Sequence, residues 1–151
     1  MTAALEEARE AAARGEVPVG AAVVKDGAVV GRGRNRIEED GDATAHAEMV
    51  AIRDAARALG TKWLIGCTMF VTTEPCAMCA GAAVLARLDA IVAGCASDKS
   101  GACGTVKDIL ESESLNHRVA YEAGVLEEEC AALLSGFFRE LRERKSRECG
   151  G

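Results

Sequence analysis

At 151 residues and 49% hydrophobic side chains, the chain is long enough for a true core, and 1–151 is read as a single domain. Its formal charge of −6 argues against a generally adhesive nucleic-acid binder, and no apolar run approaches the roughly 18 residues of a membrane span. The charged, alanine-rich start has no secretory h-region, and the 7 cysteines are odd in number. A cytoplasmic protein with reduced thiols is therefore expected.

Leu5, Ala8, Ala11 and Ala12 share one side of a helix expected over 2–14. A strand over 17–24, the turn Lys25-Asp26-Gly27 and a return strand over 28–34 read as a hairpin, and 37–42 as a polar loop. A helix over 45–59 follows, with Thr44 as N-cap and Gly60 as stop. Residues 67–73 form an apolar strand, Pro75 suits the first position of a helix to about 87, and 90–95 is another buried strand. Gly101 and Gly104 mark a loop before a short helix near 106–110.

The last helix is expected over about 127–146, with a flexible tail over 147–151. Its stripe of Cys130, Leu133, Leu134, Phe137, Phe138 and Leu141 is one-sided. Residues 137–147 hold five cations against two anions, a patch able to grip a phosphate backbone despite the overall charge. A hairpin followed by alternating strands and helices gives an α/β sandwich with a mixed sheet.

Two segments carry the chemistry: His46-Ala47-Glu48 and Pro75-Cys76-Ala77-Met78-Cys79. His46, Cys76 and Cys79 make three zinc ligands, which leaves a fourth tetrahedral position open, as in catalytic rather than structural zinc sites. Cys76 and Cys79 lie one turn apart in the first turns of a helix, where the dipole favours thiolate. His46 and Glu48 are about 200° apart around an ideal helix. They can serve one ion only if it sits off the helix end, so two helix N-termini should face each other across the metal.

Zn²⁺ with two thiolates and a neutral imidazole is formally neutral, a weaker Lewis acid than a three-histidine zinc. Glu48 is then the base that takes a proton from water and passes it to a ring nitrogen and on to a leaving amine. The spacing H-x-E followed by P-C-x-x-C is that of zinc-dependent nucleobase deaminases. Taken singly, the cysteines could be a redox or core pair, His46 a core or surface residue, and Glu48 a solvated one. Their joint occurrence, in order and with Pro75 in place, outweighs those readings. Cys67, Cys95, Cys103 and Cys130 sit among apolar residues and read as reduced core thiols. Cys149 falls in the tail.

The chain resembles the cytidine deaminase superfamily and, within it, the bacterial tRNA-specific adenosine deaminases that convert adenosine to inosine at the anticodon wobble position. The resemblance runs from about Glu16 to Arg142. It rests on Glu16-Val17-Pro18-Val19-Gly20, Gly33-Arg34-Asn35-Arg36, Thr44 to Glu48 and Val71 to Gly81. It continues through Lys99, Gly101 and Gly104, through Asn116-His117-Arg118-Val119, and through Phe137-Phe138-Arg139. It implies a three-layer α/β/α cytidine-deaminase-like sandwich with a five-stranded mixed sheet, one Zn²⁺ per subunit, and a homodimer whose active site borders the interface.

It also implies that Asn35 bonds a flipped base, Val17 packs on it, the Ala47 backbone meets its edge and Thr73 forms a wall. The partner implied is a tRNA anticodon stem-loop, with Ser97, Lys99, Arg139 and Arg142 as RNA contacts. Two positions depart from the family pattern. Ser97 stands where an acidic residue is usual, with Asp98 following, and Thr73 where a larger aliphatic is usual. For Asn116-His117-Arg118 a loop-bracing role and an RNA contact stay equally open.

Two other readings remain. The same zinc chemistry would serve a deaminase of free bases or nucleosides such as guanine or cytosine, which the acidic charge favours and the basic last helix opposes. A non-catalytic zinc-stabilised subunit could keep the ligands, but would have no need of Glu48.

Overall fold

The structure is a computed structural model and describes residues 1–149. Strands β1 (Gly20–Lys25) and β2 (Ala28–Arg34) pair antiparallel across the Asp26-Gly27 turn, with a register shift between Val23 and Val24. β1 pairs antiparallel on its other side with β3 (Cys67–Thr73). β3 is parallel to β4 (Ala90–Cys95), and β4 to β5 (Ala120–Glu122). The order β2-β1-β3-β4-β5 makes a five-stranded mixed sheet, as expected.

Helices α1 (Thr2–Ala13) and α5 (Glu127–Cys149) lie on one face of the sheet. The other face is covered by α3 (Ala47–Leu59) and α4 (Ala77–Leu85), and the single turn α2 (Ile37–Asp40) follows β2. Met69, Val71 and Ile91 of the sheet pack with Ala47, Ala51, Ala80 and Ala83 of the helices. Each fully buried Met, Val or Ile contributes roughly 1.5–3 kcal/mol. The small residues let α3 come close: a Cβ on Gly33 would lie 2.2 Å from the Ala47 carbonyl oxygen. α3 is thus fixed on β2 at the turn that carries the chemistry. Among the described residues no helix is long and apolar enough to cross a membrane.

Several local expectations are corrected. β1 begins at Gly20 rather than at residue 17, because Pro18 has no N–H and Val19 N turns back to Val17 O at 2.8 Å. α3 begins at Ala47, with His46 as N-cap. Thr44 does not cap it, since its N–H and hydroxyl both bond Asp42 Oδ1, at 2.8 and 2.7 Å. α4 begins at Ala77 with Cys76 as N-cap, so Pro75 precedes the helix, and its carbonyl accepts from Ala102 N at 2.9 Å.

The helix near 106–110 is absent, because the N–H groups of Val106, Lys107 and Ile109 go back to the carbonyls of Gly101 and Ala102. α2 replaces part of the polar loop. β5 is too short and exposed for periodicity to reveal. α5 continues to Cys149, beyond the expected end at 146, so 147–149 are helical rather than a tail, while 150–151 and the Cys149 side chain lie outside the described residues. Cys67, Cys95, Cys103 and Cys130 are buried free thiols, as read from the sequence.

Candidate active site

β1 and β3 are central in the sheet, and the chain leaves β3 at Thr73 to enter α4 within three residues. That junction delivers Cys76 and Cys79 to the N-terminus of α4. The N-terminus of α3, seated on β2 through Gly33, delivers His46. His46 Nδ1 lies 3.6 Å from Cys76 Sγ and 3.6 Å from Cys79 Sγ, and the three ligand atoms all fall within 4.8 Å of one another.

Zinc bonds of about 2.3 Å to sulfur and 2.0–2.1 Å to nitrogen, at tetrahedral angles, would place the donors about 3.6 Å apart. Both nitrogen–sulfur distances match that spacing. Two helix N-termini face each other here, as the spacing of His46 and Glu48 required.

Without metal, the two thiols hold protons unequally. The Cys79 side chain and the N–H groups of Cys79 and Met78, opposed by burial, pull the Cys76 thiol down to about 5. Cys79 is pushed far up by Cys76, by burial and by Glu48. A divalent cation held here would be bound by both sulfurs as thiolates, so its binding would release the remaining proton to solvent.

Glu48 is 3% exposed. Burial raises its carboxyl above the usual range, against its own backbone N–H and the nearby imidazole. A base in so dry a position has a strong drive to take a proton.

The site opens into a cleft of about 180 Å³ lined by Val17, Asn35, His46, Ala47, Glu48, Thr73, Cys76 and Ser97, among others. Every expected base-contact residue therefore lines one cleft with Glu48, His46 and Cys76, the expected base and two of the three expected ligands, while Cys79 is buried. Asn35 is 5% exposed and donates from Nδ2 to Glu16 Oε2 at 3.3 Å. Thr73 Oγ1 is buried without a protein hydrogen-bond partner.

The remaining expected contacts lie elsewhere. Lys99 is exposed and does not line the cleft. Arg139 and Arg142 line a separate open groove on α5 with Glu143 and Arg147. His117 Nε2 donates to the Leu88 carbonyl at 2.7 Å, which ties its loop down, while Arg118 makes a solvent-exposed pair with Glu111 at 3.0 Å. The apolar stripe of α5 is only partly covered, with Cys130 buried and Phe138 38% exposed. Val19, Ile37, Glu74 and Ser100 also line the cleft, and sequence reasoning gave them no role. For Glu74 a signal existed: an acid directly between a core strand and Pro75-Cys76.

Fold and site together define a cytidine-deaminase-like hydrolase. The MafB19-like deaminase family matches residues 1–142. The tRNA-specific adenosine deaminase of Bacillus subtilis (strain 168) is 48% identical over 145 residues, covering 96% of this chain and 90% of that protein. A solved structure from work on A-to-I editing by tRNA:A34 deaminases superposes with a TM-score of 0.86 at 42% identity, covering 89% of this chain and 97% of that one. A guanine deaminase from Nitrosomonas europaea is more distant, at 28% identity and a TM-score of 0.73 over 89% of this chain and 80% of that one. The chain belongs to the family of tRNA-specific adenosine deaminases.

Proposed function

We propose that this protein hydrolyses the exocyclic amine of adenosine at the wobble position of a tRNA anticodon, giving inosine and ammonia. One observation carries the chemistry: a buried carboxylate, Glu48, lines the same cleft as His46 and Cys76, and His46 lies 3.6 Å from the sulfurs of both Cys76 and Cys79. The likeness to tRNA-specific adenosine deaminases at 48% identity supports the substrate.

His46, Cys76 and Cys79 are the residues that would hold zinc, and bound there it would supply the Lewis acidity that lowers the pKa of water. Glu48 removes a proton from the attacking water, returns it to the ring nitrogen beside the reacting carbon, and then serves the departing ammonia. Asn35, held by Glu16, bonds the base while Val17 packs on its face and the Ala47 backbone meets its edge. The unpartnered Thr73 hydroxyl adds a polar point on a wall where an aliphatic residue would give none. An anticodon base is already unpaired, so turning it into the cleft avoids the few kcal/mol that a duplex would demand.

Ser97 at the cleft, Lys99 outside it and Arg139 and Arg142 on α5 are read as contacts to the RNA, with the basic groove following phosphates. The working form is read as a homodimer, which the exposed Leu85 and Ile65 support, and its place as the cytoplasm, where tRNA is processed. The test is inosine formation by zinc-loaded protein from an anticodon stem-loop carrying wobble adenosine, beside free guanine, cytosine and adenosine. Turnover of the stem-loop alone supports the reading, and turnover of a free base in preference to it overturns it.

A further inference from the structure

Glu74 is a buried acid that the chemistry above does not use. It is 2% exposed, and among the described residues no lysine or arginine pairs with it. Its carboxylate is satisfied entirely by one loop. Oε1 accepts from Cys103 N at 3.0 Å and Thr105 N at 3.1 Å. Oε2 accepts from Ser97 N at 3.2 Å and from the Thr105 hydroxyl.

The loop closes so tightly over the carboxylate that a Cβ on Gly101 would lie 2.3 Å from Oε2. The backbone adds Glu74 N to Cys95 O at 2.8 Å and Ala102 N to Pro75 O at 2.9 Å. With two donors on each oxygen, the carboxylate has no capacity left to ligate a metal or carry a proton.

The loop so held is the one that puts Ser97 and Ser100 into the cleft, with their hydroxyl oxygens 3.1 Å apart. Glu74 precedes Cys76 by two residues, so one short backbone segment carries both the metal ligand and the anchor of the cleft wall. We propose that Glu74 is a positioning residue that fixes the loop over 97–105 in register with the metal ligands and so sets recognition of the nucleoside and its flanking RNA, without taking part in the proton transfers.

The inference rests on the tRNA reading for its substrate and on geometry for its structural half, and the two halves are measured separately. Glu74→Gln keeps the shape of the side chain but turns one acceptor into a donor facing N–H groups. Thr105→Val removes only the hydroxyl donor and spares the backbone bonds.

Both zinc-loaded variants are assayed for metal content, for backbone hydrogen exchange, and for KM and kcat on the wobble-adenosine stem-loop. In Glu74→Gln the expected result is faster exchange at Ser97, Cys103 and Thr105 with α3 and α4 unchanged, one metal per chain, and KM raised about tenfold with kcat within a few fold. Thr105→Val moves the same quantities in the same direction by a smaller factor, and decides the matter if Glu74→Gln does not fold.

A fall in kcat at unchanged KM, loss of metal, or exchange in 97–105 equal to wild type overturns the proposal. If wild-type protein forms no inosine from the stem-loop, the substrate reading falls, and the exchange and metal measurements still decide whether Glu74 holds the loop.

Discussion

Asn35 and Glu16 are joined by a buried hydrogen bond, Nδ2 to Oε2 at 3.3 Å, and the other Glu16 oxygen accepts from Glu39 N at 2.8 Å. Glu16 therefore couples the residue at the end of the β1–β2 hairpin to the turn α2, and fixes which way the Asn35 amide faces in the cleft. Glu16→Ala leaves the buried Asn35 amide without this partner, at about 1–3 kcal/mol, while the Glu39 N–H, on an exposed residue, can turn to water. The expected outcome is a KM for the stem-loop raised tenfold or more with metal content unchanged. Steady-state kinetics with metal analysis checks it, and equal KM values would show that the amide is oriented by something else.

Glu48→Gln preserves size and burial but removes the base. Since positioned acid–base groups contribute about 10²–10⁴ in rate, kcat should fall by at least a hundredfold. Metal content and melting temperature should remain near wild type, because none of the metal-ligand atoms is touched. Single-turnover inosine formation measures the first and metal emission the second. A variant that also loses its metal would make Glu48 a structural part of the site.

That His46, Glu48, Cys76 and Cys79 come together was legible in the sequence because residue identity and spacing are covalent facts. Two cysteines three apart share a helix face, and a histidine and glutamate two apart must sit at a helix end. The exact helix starts were not legible: Thr44 has an ordinary N-cap preference, and only the fold shows Asp42 taking its hydroxyl. The fifth strand reached the sequence reading through family resemblance alone, because Ala120–Glu122 is too short to show a period. Glu16 and Glu74 were visible as letters without roles. Their partners lie 19 to 31 residues away, a distance over which no local pattern operates.

Metal removal has a chemical signature at the cysteines. Cys76 is half-buried and its thiol is held low, so in chelated protein it should be alkylated at neutral pH within minutes, while zinc-loaded protein resists. Cys67, Cys95, Cys103 and Cys130 are buried with thiols pushed up, and should stay unmodified in both forms. Peptide mass mapping after a short pulse of iodoacetamide distinguishes the sites. Equal labelling of Cys76 with and without zinc would remove it from the ligand set.

Cys130 gives a dependence on alkaline pH. It sits in the first turn of α5, buried against Leu5 and Cys95, with Glu129, Arg9 and the chain's amino terminus nearby. Burial raises its thiol from 9.0 to about 11. Below pH 9 the thiol is protonated in both folded and unfolded chains and stability does not depend on it. Between 9 and 11 only the unfolded chain ionises there, so unfolding becomes easier by about 1.4 kcal/mol per pH unit. Denaturant titrations from pH 8 to 11 should show stability falling, and Cys130→Ala should flatten that slope by roughly one proton's worth. An unchanged slope would assign the alkaline loss to other groups.

The proposed homodimer makes its own demand on the surface. Leu85 is 78% exposed, Ile65 58% and Trp63 46%, and the bond from Leu64 N to Ala86 O at 2.7 Å brings these two segments side by side. Lys62 and Arg87 stand over the Trp63 ring at 4.7 and 5.5 Å, giving the apolar patch a basic rim. In a two-fold dimer each residue is used twice, so burying Leu85 contributes its roughly 1.5–3 kcal/mol on both sides of the axis. Leu85→Glu removes both contributions and introduces two charges, which should raise the dissociation constant at least a hundredfold. Because α4 runs from the metal ligands at its start to Leu85 at its end, loss of the partner should also lower turnover of the stem-loop while metal content holds. Sedimentation velocity across a dilution series measures the first effect. A variant that stays dimeric would move the interface to another face, with the half-covered stripe of α5 the next to test by Phe138→Glu.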